Sequence, residues 1–485
     1  MSNAIEGLQP AGVWKYFAEI SKIPRCSKHE DRITKYVVDT AKRMKLQVST
    51  DKFGNVVVRK PATAGKEGAT PIVLQGHLDM VCEKNKNTVH DFTKDPIRLV
   101  RKGNELRADG TTLGADNGIA VATNLAIMED SSLQHGPLEF LFTVDEETGL
   151  TGANNLGPDF LKGRTLINLD SEEEGALYVG CSGGRNSVAS WTLAREAAPA
   201  TAVQGTVRVK GLRGGHSGLE IHTGRGNAIK ILGRALQALQ SAGVRIVSLE
   251  GGNKTNAIPR EAEATVALSK TKWPAAVAAV GQLEAVIRAE CATVEPDLSV
   301  TLEEAKGGRR GKVLTRALHR KVLAAIAAMP HGVIKMSADI PGLVETSTNV
   351  AVVRMTPKAV ELLTSQRSSV ASELDDICDS VRAVAELAGA RATTTDGYPG
   401  WKPNLDSPIL KTAIATYKRL HGKEPEVKAI HAGLECGIIG EKYPGMDMVS
   451  MGPTLQDVHS PDERIYIDTV GKYWDFLVAI LKNVA

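Results

Sequence analysis

The chain has 485 residues, 42% hydrophobic and 24% charged, enough apolar material for a sizeable core but too much chain for one, since single cores stop growing near about 250–300 residues. A formal charge of +3 is close to neutral at this length, and no basic run is interleaved with aromatic residues, which excludes nucleic acid as a partner. No apolar stretch approaches a membrane span of roughly 18 residues, and the amino-terminal run Met-Ser-Asn-Ala-Ile-Glu-Gly-Leu lacks the layout of a secretion signal.

Taken in chain order, Ser27-Lys28-His29-Glu30 reads as a capping box opening a helix with Ile33, Tyr36, Val37, Ala41 and Met44 on one side. Val48 to Lys60, turning at Lys52-Phe53-Gly54-Asn55, reads as a hairpin. Pro71 to Gln75 is an apolar run of strand length, so His77 follows its carboxyl end once Gly76 lets the chain turn. Leu138 to Val144, ahead of Asp145, and Thr165 to Leu169, ahead of Asp170, repeat that arrangement, while Asn117 to Asp130 reads as a helix starting beside Asp116.

From about Arg185 the pattern changes to strand Thr206–Lys210, helix Asn227–Gln240, strands Val244–Leu249 and Ala262–Leu268, helix Ala275–Glu290 and strand Leu298–Leu302. That βαββαβ order is the ferredoxin-like unit. Helix Val313–Met329, strands near Asn349–Met355 and Val360–Ser365, and helix Ser369–Ala388 then read as a partial internal repeat. The expected organisation is an α/β catalytic domain, with a mixed central sheet flanked by helices, formed by residues 1–186 and 394–485. An inserted α+β ferredoxin-like lid occupies residues 187–393.

Five short segments place His, Asp or Glu where elements begin or end: Gln-Gly-His77-Leu-Asp79, Ala-Asp116-Asn-Gly, Asp-Glu146-Glu147, Leu-Asp170 and Val-His459-Ser. In open α/β sheets, sites collect outside the carboxyl ends of strands. Two divalent ions about 3.5–4 Å apart require a shared carboxylate, terminal His and carboxylate ligands, and one acid left free to move protons. His77, Asp116, Glu147, Asp170 and His459 supply five ligands, with Glu146 as the free acid. Mixed imidazole and carboxylate donors suit zinc, with cobalt and manganese as acceptable substitutes. Singly, Asp-Asn-Gly is a turn and Glu-Glu a solvated face; the conjunction in this order points to a site. Six cysteines (Cys26, Cys82, Cys181, Cys291, Cys378, Cys436) without C-x-x-C spacing read as reduced thiols of a cytoplasmic protein.

Over essentially its whole length the chain resembles the di-zinc metallopeptidases of the aminoacylase and carnosinase type. The strings Asp91 to Pro96, Gly110 to Gly118, Gly214 to Gly218, Asn256 to Ala262 and His431 to Gly437 are similar to the bacterial branch that cleaves Xaa-His dipeptides. The resemblance implies that Asp116 bridges two ions, that His77 and Asp170 complete one shell and Glu147 and His459 the other, and that Asp79 orients His77. It also implies a hydroxide between the ions activated by Glu146, an oxyanion held by His216 with Asn256 beside it, and a substrate carboxylate gripped by Arg367. Glu435, with His431, is expected to line the substrate pocket. Where relatives carry Pro after the H-x-D-x-V string this chain has Cys82, read as a buried structural thiol. The resemblance further implies a homodimer. Two rival readings are a relative acting on N-acyl amino acids or a broader set of dipeptides, and a non-catalytic binding protein. The second would be expected to have lost Glu146 or a ligand, and all are present.

Overall fold

The computed structural model of the protein describes residues 3–305 and 311–484, so the first two residues of the amino-terminal run lie outside it. The chain divides into two compact units, Met1–Cys181 with Trp401–Ala429 and Leu434–Ala485, and Ser182–Gly400 with Ile430–Gly433. The expected cuts after residues 186 and 393 fall inside strands Gly183–Thr192 and Arg391–Thr394, which pair with each other. The boundaries therefore move outward to the ends of that ladder. Among the described residues no helix is long and apolar enough to cross a membrane.

The first unit is built on an eight-stranded sheet in the order Gln47–Thr50, Val56–Lys60, Leu138–Thr143, Ile72–His77, Thr165–Asn168, Asp447–Ser450, Ala176–Cys181, Glu426–Ile430. Leu138–Thr143, Ile72–His77, Thr165–Asn168 and Asp447–Ser450 run parallel, with antiparallel pairs on either side. The central strands read as near-continuous apolar runs because both faces are covered: Ile72, Val73, Leu74, Phe140, Phe142, Leu166 and Ile167 are all buried. Each such side chain contributes about 1.5–3 kcal/mol relative to exposure. Register places His77 opposite Thr143 and Gln75 opposite Asn168, so the segments leading to Asp145, Glu146 and Asp170 leave the same edge of the sheet as His77.

Helix Ala115–Glu129 packs on Ile72–His77 and on helix Ala11–Ile20. Gly76 lies within its strand, not at a turn as expected. Its role is close approach: a β-carbon there would meet Asn117 Oδ1 at 2.5 Å and the Ala120 β-carbon at 2.8 Å. The capping box at Ser27 does not form either. The helix starts at Asp31, while Ser27 Oγ donates to Asp79 and Glu30 Oε1 accepts from the backbone of Lys28 and Asp145. A buried carboxylate deprived of water competes more strongly for the Ser27 hydroxyl than an exposed helix end that water can satisfy.

In the second unit, strands Ala202–Lys210, Arg245–Gly251, Ala262–Ser269 and Ser299–Glu304, numbered 1 to 4 along the chain, lie in the order 4-1-3-2 with every neighbour antiparallel. This is the ferredoxin-like arrangement. Strands Gly183–Thr192, Val344–Met355, Ala359–Ser368 and Arg391–Thr394 take the same 4-1-3-2 order, with helices Arg316–Ala328 and Ala371–Leu387 in the corresponding places. The internal repeat is therefore nested: the first copy is inserted after the opening strand of the second. Arg195–Ala197 pairs with Lys312–Leu314 where the insertion leaves and returns. The two copies join through Arg245–Gly251 and Val344–Met355, and their apolar faces merge into one core that includes Leu232, Leu236, Val266, Leu323, Ile326 and Val353.

Cys26 and Cys82 form a disulfide, which corrects the reading of both as free thiols. Backbone pairing of Cys26 with Met80 brings the two segments together, a contact that spacing along the chain does not reveal. The pair removes the cysteine argument for a reducing compartment. The remaining four cysteines are free, with Cys181, Cys378 and Cys436 buried. Thiol titration of denatured, unreduced protein is expected to find four reactive thiols and, after reduction, six; six before reduction would show the pair unformed.

Candidate metal centre

Asp116 stands at the start of helix Ala115–Glu129, where its backbone and that of Asn117 are non-helical and the peptide between them is cis. Asn117 stitches the local structure together. Its Oδ1 accepts from His77 N (3.2 Å) and its Nδ2 donates to Leu169 O (2.9 Å), tying the ends of two strands to the start of the helix. The Asp116 carboxylate then faces two imidazoles. His77 Nε2 lies 3.1 Å from Oδ1, and His459 Nε2 lies 3.1 Å from Oδ2. His77 Nε2 is also 3.5 Å from Asp170 Oδ1, and His459 Nε2 is 2.9 Å from Glu147 Oε2. The first unit thus brings together all five expected ligands in two triads, His77-Asp116-Asp170 and Asp116-Glu147-His459, each with its donor atoms within 4.8 Å of one another.

Asp79 holds this set from behind. Its Oδ1 lies 3.3 Å from His77 Nδ1, and its two oxygens accept from Glu146 N (3.1 Å) and Glu147 N (3.2 Å), with Ser27 Oγ at 2.8 Å from Oδ2. One buried carboxylate therefore orients an imidazole and fixes the turn carrying both glutamates. The Glu146 carboxylate, within reach of His77 and Glu147, has no protein hydrogen-bond partner among the described residues. Arg25, which the sequence reading missed, is buried nearby and donates to the carbonyls of Leu78 (3.0 Å), Asp79 (2.8 Å) and Gly114. A lone arginine between Pro24 and Cys26 carries no signal of that role.

The electrostatics are those of a site short of positive charge. Burial disfavours a charged His77, yet Asp170, Asp116 and Asp79 outweigh it and push its pKa well above the usual imidazole value. Hydrogen bonds to Asp116 and Glu147 push His459 up to about 11. Burial works against a charged Asp79 as well, but His77, Ser27 and the Glu146 N–H hold it down at about 2. Against burial, His459 and His77 also hold Asp116 well below the carboxylate range. Asp170 is pushed up to about 6 by burial and its neighbours Asp116 and Glu147, despite His77. Glu146 is raised well above the carboxylate range by burial and by Asp170, Glu435 and Glu147, against the pull of His77. Glu147 Oε1 is buried without a partner. Divalent cations fit this donor set: two nitrogens, a carboxylate shared between triads, and an orphaned oxygen that costs about 1–3 kcal/mol unless satisfied.

Glu435, expected among the substrate contacts, has no exposed surface. Its Oε2 accepts from Gln75 Nε2 (2.6 Å) and Thr143 Oγ1 (2.7 Å), and burial raises its pKa to about 7 despite His77. It lies behind the strand ends, where substrate has no surface to touch.

The second unit holds the other expected residues. Gly215–His216 pairs with Ala257–Ile258, and His216 Nδ1 accepts from Gly218 N (3.3 Å) and Leu219 N (3.0 Å), which leaves the proton on Nε2. Burial and Arg367 lower its pKa to about 4, so the ring is a neutral N–H donor at pH 7. Asn256 is exposed, its carbonyl accepting from Ser217 N. Arg367 is 7% exposed; Nη1 donates to Tyr398 Oη (2.8 Å) and Nε is buried without a partner. Among the described residues no carboxylate pairs with it, an unusual state for a buried guanidinium. His431 Nε2 lies 2.7 Å from Ser347 Oγ, and burial with Arg367 lowers its pKa to about 3.

Comparison with known proteins places the chain among peptidases. The model of peptidase family M20/M25/M40 matches residues 73–483. The chain is 44% identical over 483 residues to the cytosol non-specific dipeptidase of Escherichia coli, covering 99% of each. It superposes with a TM-score of 0.91 on the crystal structure of aminoacylhistidine dipeptidase from Vibrio alginolyticus, at 43% identity over 99% of this chain and 98% of that one. Aminopeptidase PepT from Bacillus cereus shares the fold at 17% identity and a TM-score of 0.57, over 98% and 99% of the two chains.

Because the neighbouring carboxylates keep His77 and His459 protonated, and only neutral imidazoles bind metal, ion uptake by metal-free protein near pH 7.5 is expected to release protons, with apparent affinity rising with pH. Calorimetric titration in two buffers of different ionisation enthalpy reads the proton count; binding with no proton release would contradict this arrangement.

Proposed function

We propose that this chain, which belongs to peptidase family M20/M25/M40, is a metal-dependent dipeptidase that prefers Xaa-His substrates and works with two divalent ions, zinc by donor type. The observation that carries this reading is the Asp116 carboxylate, each of whose oxygens faces a different imidazole. His77 and Asp170 would hold one ion and Glu147 and His459 the other, with Asp116 shared. When bound, such ions acidify water and polarise a carbonyl.

The remaining chemistry belongs to the side chains. Glu146, without a protein partner and with its pKa raised, takes the proton of the attacking water and passes it to the leaving amine. His216, neutral with its proton on Nε2, donates to the oxyanion of the tetrahedral intermediate. Arg367, buried with no carboxylate partner, takes the substrate's terminal carboxylate as a charge-assisted contact. Asn256 is a polar companion of His216. The free amine of the substrate is met by the acidic surroundings of the centre, which favours dipeptides over N-acyl amino acids. The dipeptidase activity for which the two closely similar proteins are named, and the cytosol named for one of them, support the substrate class and a cytoplasmic location. A homodimer completes the proposal.

Metal-stripped protein should be inactive and regain Xaa-His hydrolysis with zinc, cobalt or manganese. Faster turnover of N-acyl amino acids than of dipeptides would overturn the substrate class. In the same assay Glu146→Gln should lose at least about 10²-fold of rate, the low end for general acid–base catalysis, with metal content unchanged; near-parental turnover would remove Glu146 from its role.

Arg367→Ala should lower kcat/KM for a free dipeptide by about ten- to more than a hundredfold, the equivalent of roughly 1.5–3 kcal/mol for a charged hydrogen bond. It should also blunt the preference for the free acid over its carboxyl-terminal amide. Lys at 367 should recover only part of the loss, since a point charge does not reproduce the planar fork. A preference for the free acid that persists in Arg367→Ala would show that another residue reads the carboxylate.

A further inference from the structure

We propose that Glu463 is a positioning residue of the metal centre, whose carboxylate sets where Asp116 and His459 stand relative to each other. Its side chain is 2% exposed and accepts four successive backbone N–H groups: Leu113 (2.7 Å) and Gly114 (2.9 Å) on Oε2, Ala115 (2.8 Å) and Asp116 (3.3 Å) on Oε1. These donors line the turn into helix Ala115–Glu129, where Gly114 adopts φ +67° and the first N–H groups have no partner within the helix. Successive N–H groups around such a turn form a cup for an anion. Here the protein fills the cup with its own carboxylate, and one of the four donors is the backbone of the shared ligand itself.

The other end of the connection is His459, four residues earlier in His459-Ser-Pro-Asp-Glu463. His459 sits at φ +62° and Asp457 at +53°, a left-handed backbone that is strained for a side-chain-bearing residue and persists only where surroundings hold it. Glu463 supplies such a hold, because four charge-assisted hydrogen bonds fix the far end of the same segment. Arg25 closes the frame. Its guanidinium takes the Gly114 carbonyl while Glu463 takes the Gly114 N–H, and it continues to the carbonyls of Leu78 and Asp79 behind His77. A buried anion and a buried cation, each bonded to backbone and not to one another, thus lock the Asp116 turn between the segments that carry the two imidazoles.

The inference rests on the two-metal reading, and the experiment separates the two. Metal-free parent, Glu463→Gln and Glu463→Asp are titrated with zinc against a competing chelator, their thermal unfolding is followed, and the cobalt-loaded forms are compared by visible absorption. If the parent does not bind two ions per chain, the metal reading itself falls, whatever the variants do. With the parent binding two, Glu463→Gln, which turns an amide N–H toward backbone N–H donors, should unfold cooperatively yet bind at least one ion about 10–100-fold more weakly. Its cobalt spectrum should change and its kcat should fall with KM little altered. Glu463→Asp keeps the charge and should recover part of the affinity. Parental affinity and spectrum in Glu463→Gln, no recovery in Glu463→Asp, or loss of cooperative unfolding in both variants would each overturn the proposal, the last by making Glu463 a requirement of the fold and not of the ligand geometry.

Discussion

The two oxygens of Asp116 meet imidazoles that lie 39 and 343 residues away along the chain, and the first unit is arranged around that contact. A carboxylate shared in this way must be held by its backbone, because its own oxygens are committed to the site. The hold comes from three directions: Asn117 ties the turn to two strand ends, Glu463 takes its N–H groups, and Arg25 takes a carbonyl. The parallel core of the sheet is what makes this possible, since register brings His77, Thr143 and Asn168 to one edge and leaves the ligands only a turn to cross.

Crowding carboxylates in this way is costly without cations. Asp79, Asp116, Glu146, Glu147 and Asp170 share a space in which the protein offers His77, His459 and Arg25. The consequence is a division of labour set by surroundings. Asp79 and Asp116, rich in donors, stay ionised, while Glu146 and Asp170, poor in them, are driven toward protonation. A group poised in this way is suited to carrying a proton, and neighbouring carboxylates with opposite shifts are a common mark of acid–base chemistry.

The second unit solves a different problem. Its two ferredoxin-like copies are nested and share one core; Arg367 lies in the sheet they form, and His216 in a separate two-stranded pairing with Ala257–Ile258. His216 is neutral because burial and Arg367 disfavour its charge, and its tautomer is set by two backbone N–H groups. Arg367 has no carboxylate partner among the described residues and a buried Nε without an acceptor, which leaves its fork available to an anion from outside the chain.

What the sequence determined by itself were the donors and their order: apolar runs of strand length followed at once by His77, Glu146 and Asp170, a helix beside Asp116, and a βαββαβ unit recognisable from periodicity alone. Those features are local, and local chain stiffness and burial are enough to write them. What only the tertiary structure decided were partners. Ser27 and Glu30 leave a helix cap for Asp79 and Asp145, Gly76 serves a crossing helix and not a turn, and Glu435 is buried against Gln75 and Thr143 at two strand ends. Cys26 finds Cys82, and the boundary expected after residue 186 moves to Cys181 because a whole strand belongs with its ladder. Glu463, to which the sequence assigned no role, anchors a turn 347 to 350 residues away. For Ser27, Glu30, Glu435 and Glu463 the reason is common: a buried polar group takes a partner that the fold brings within about 3 Å, because leaving it unpaired away from water is costly.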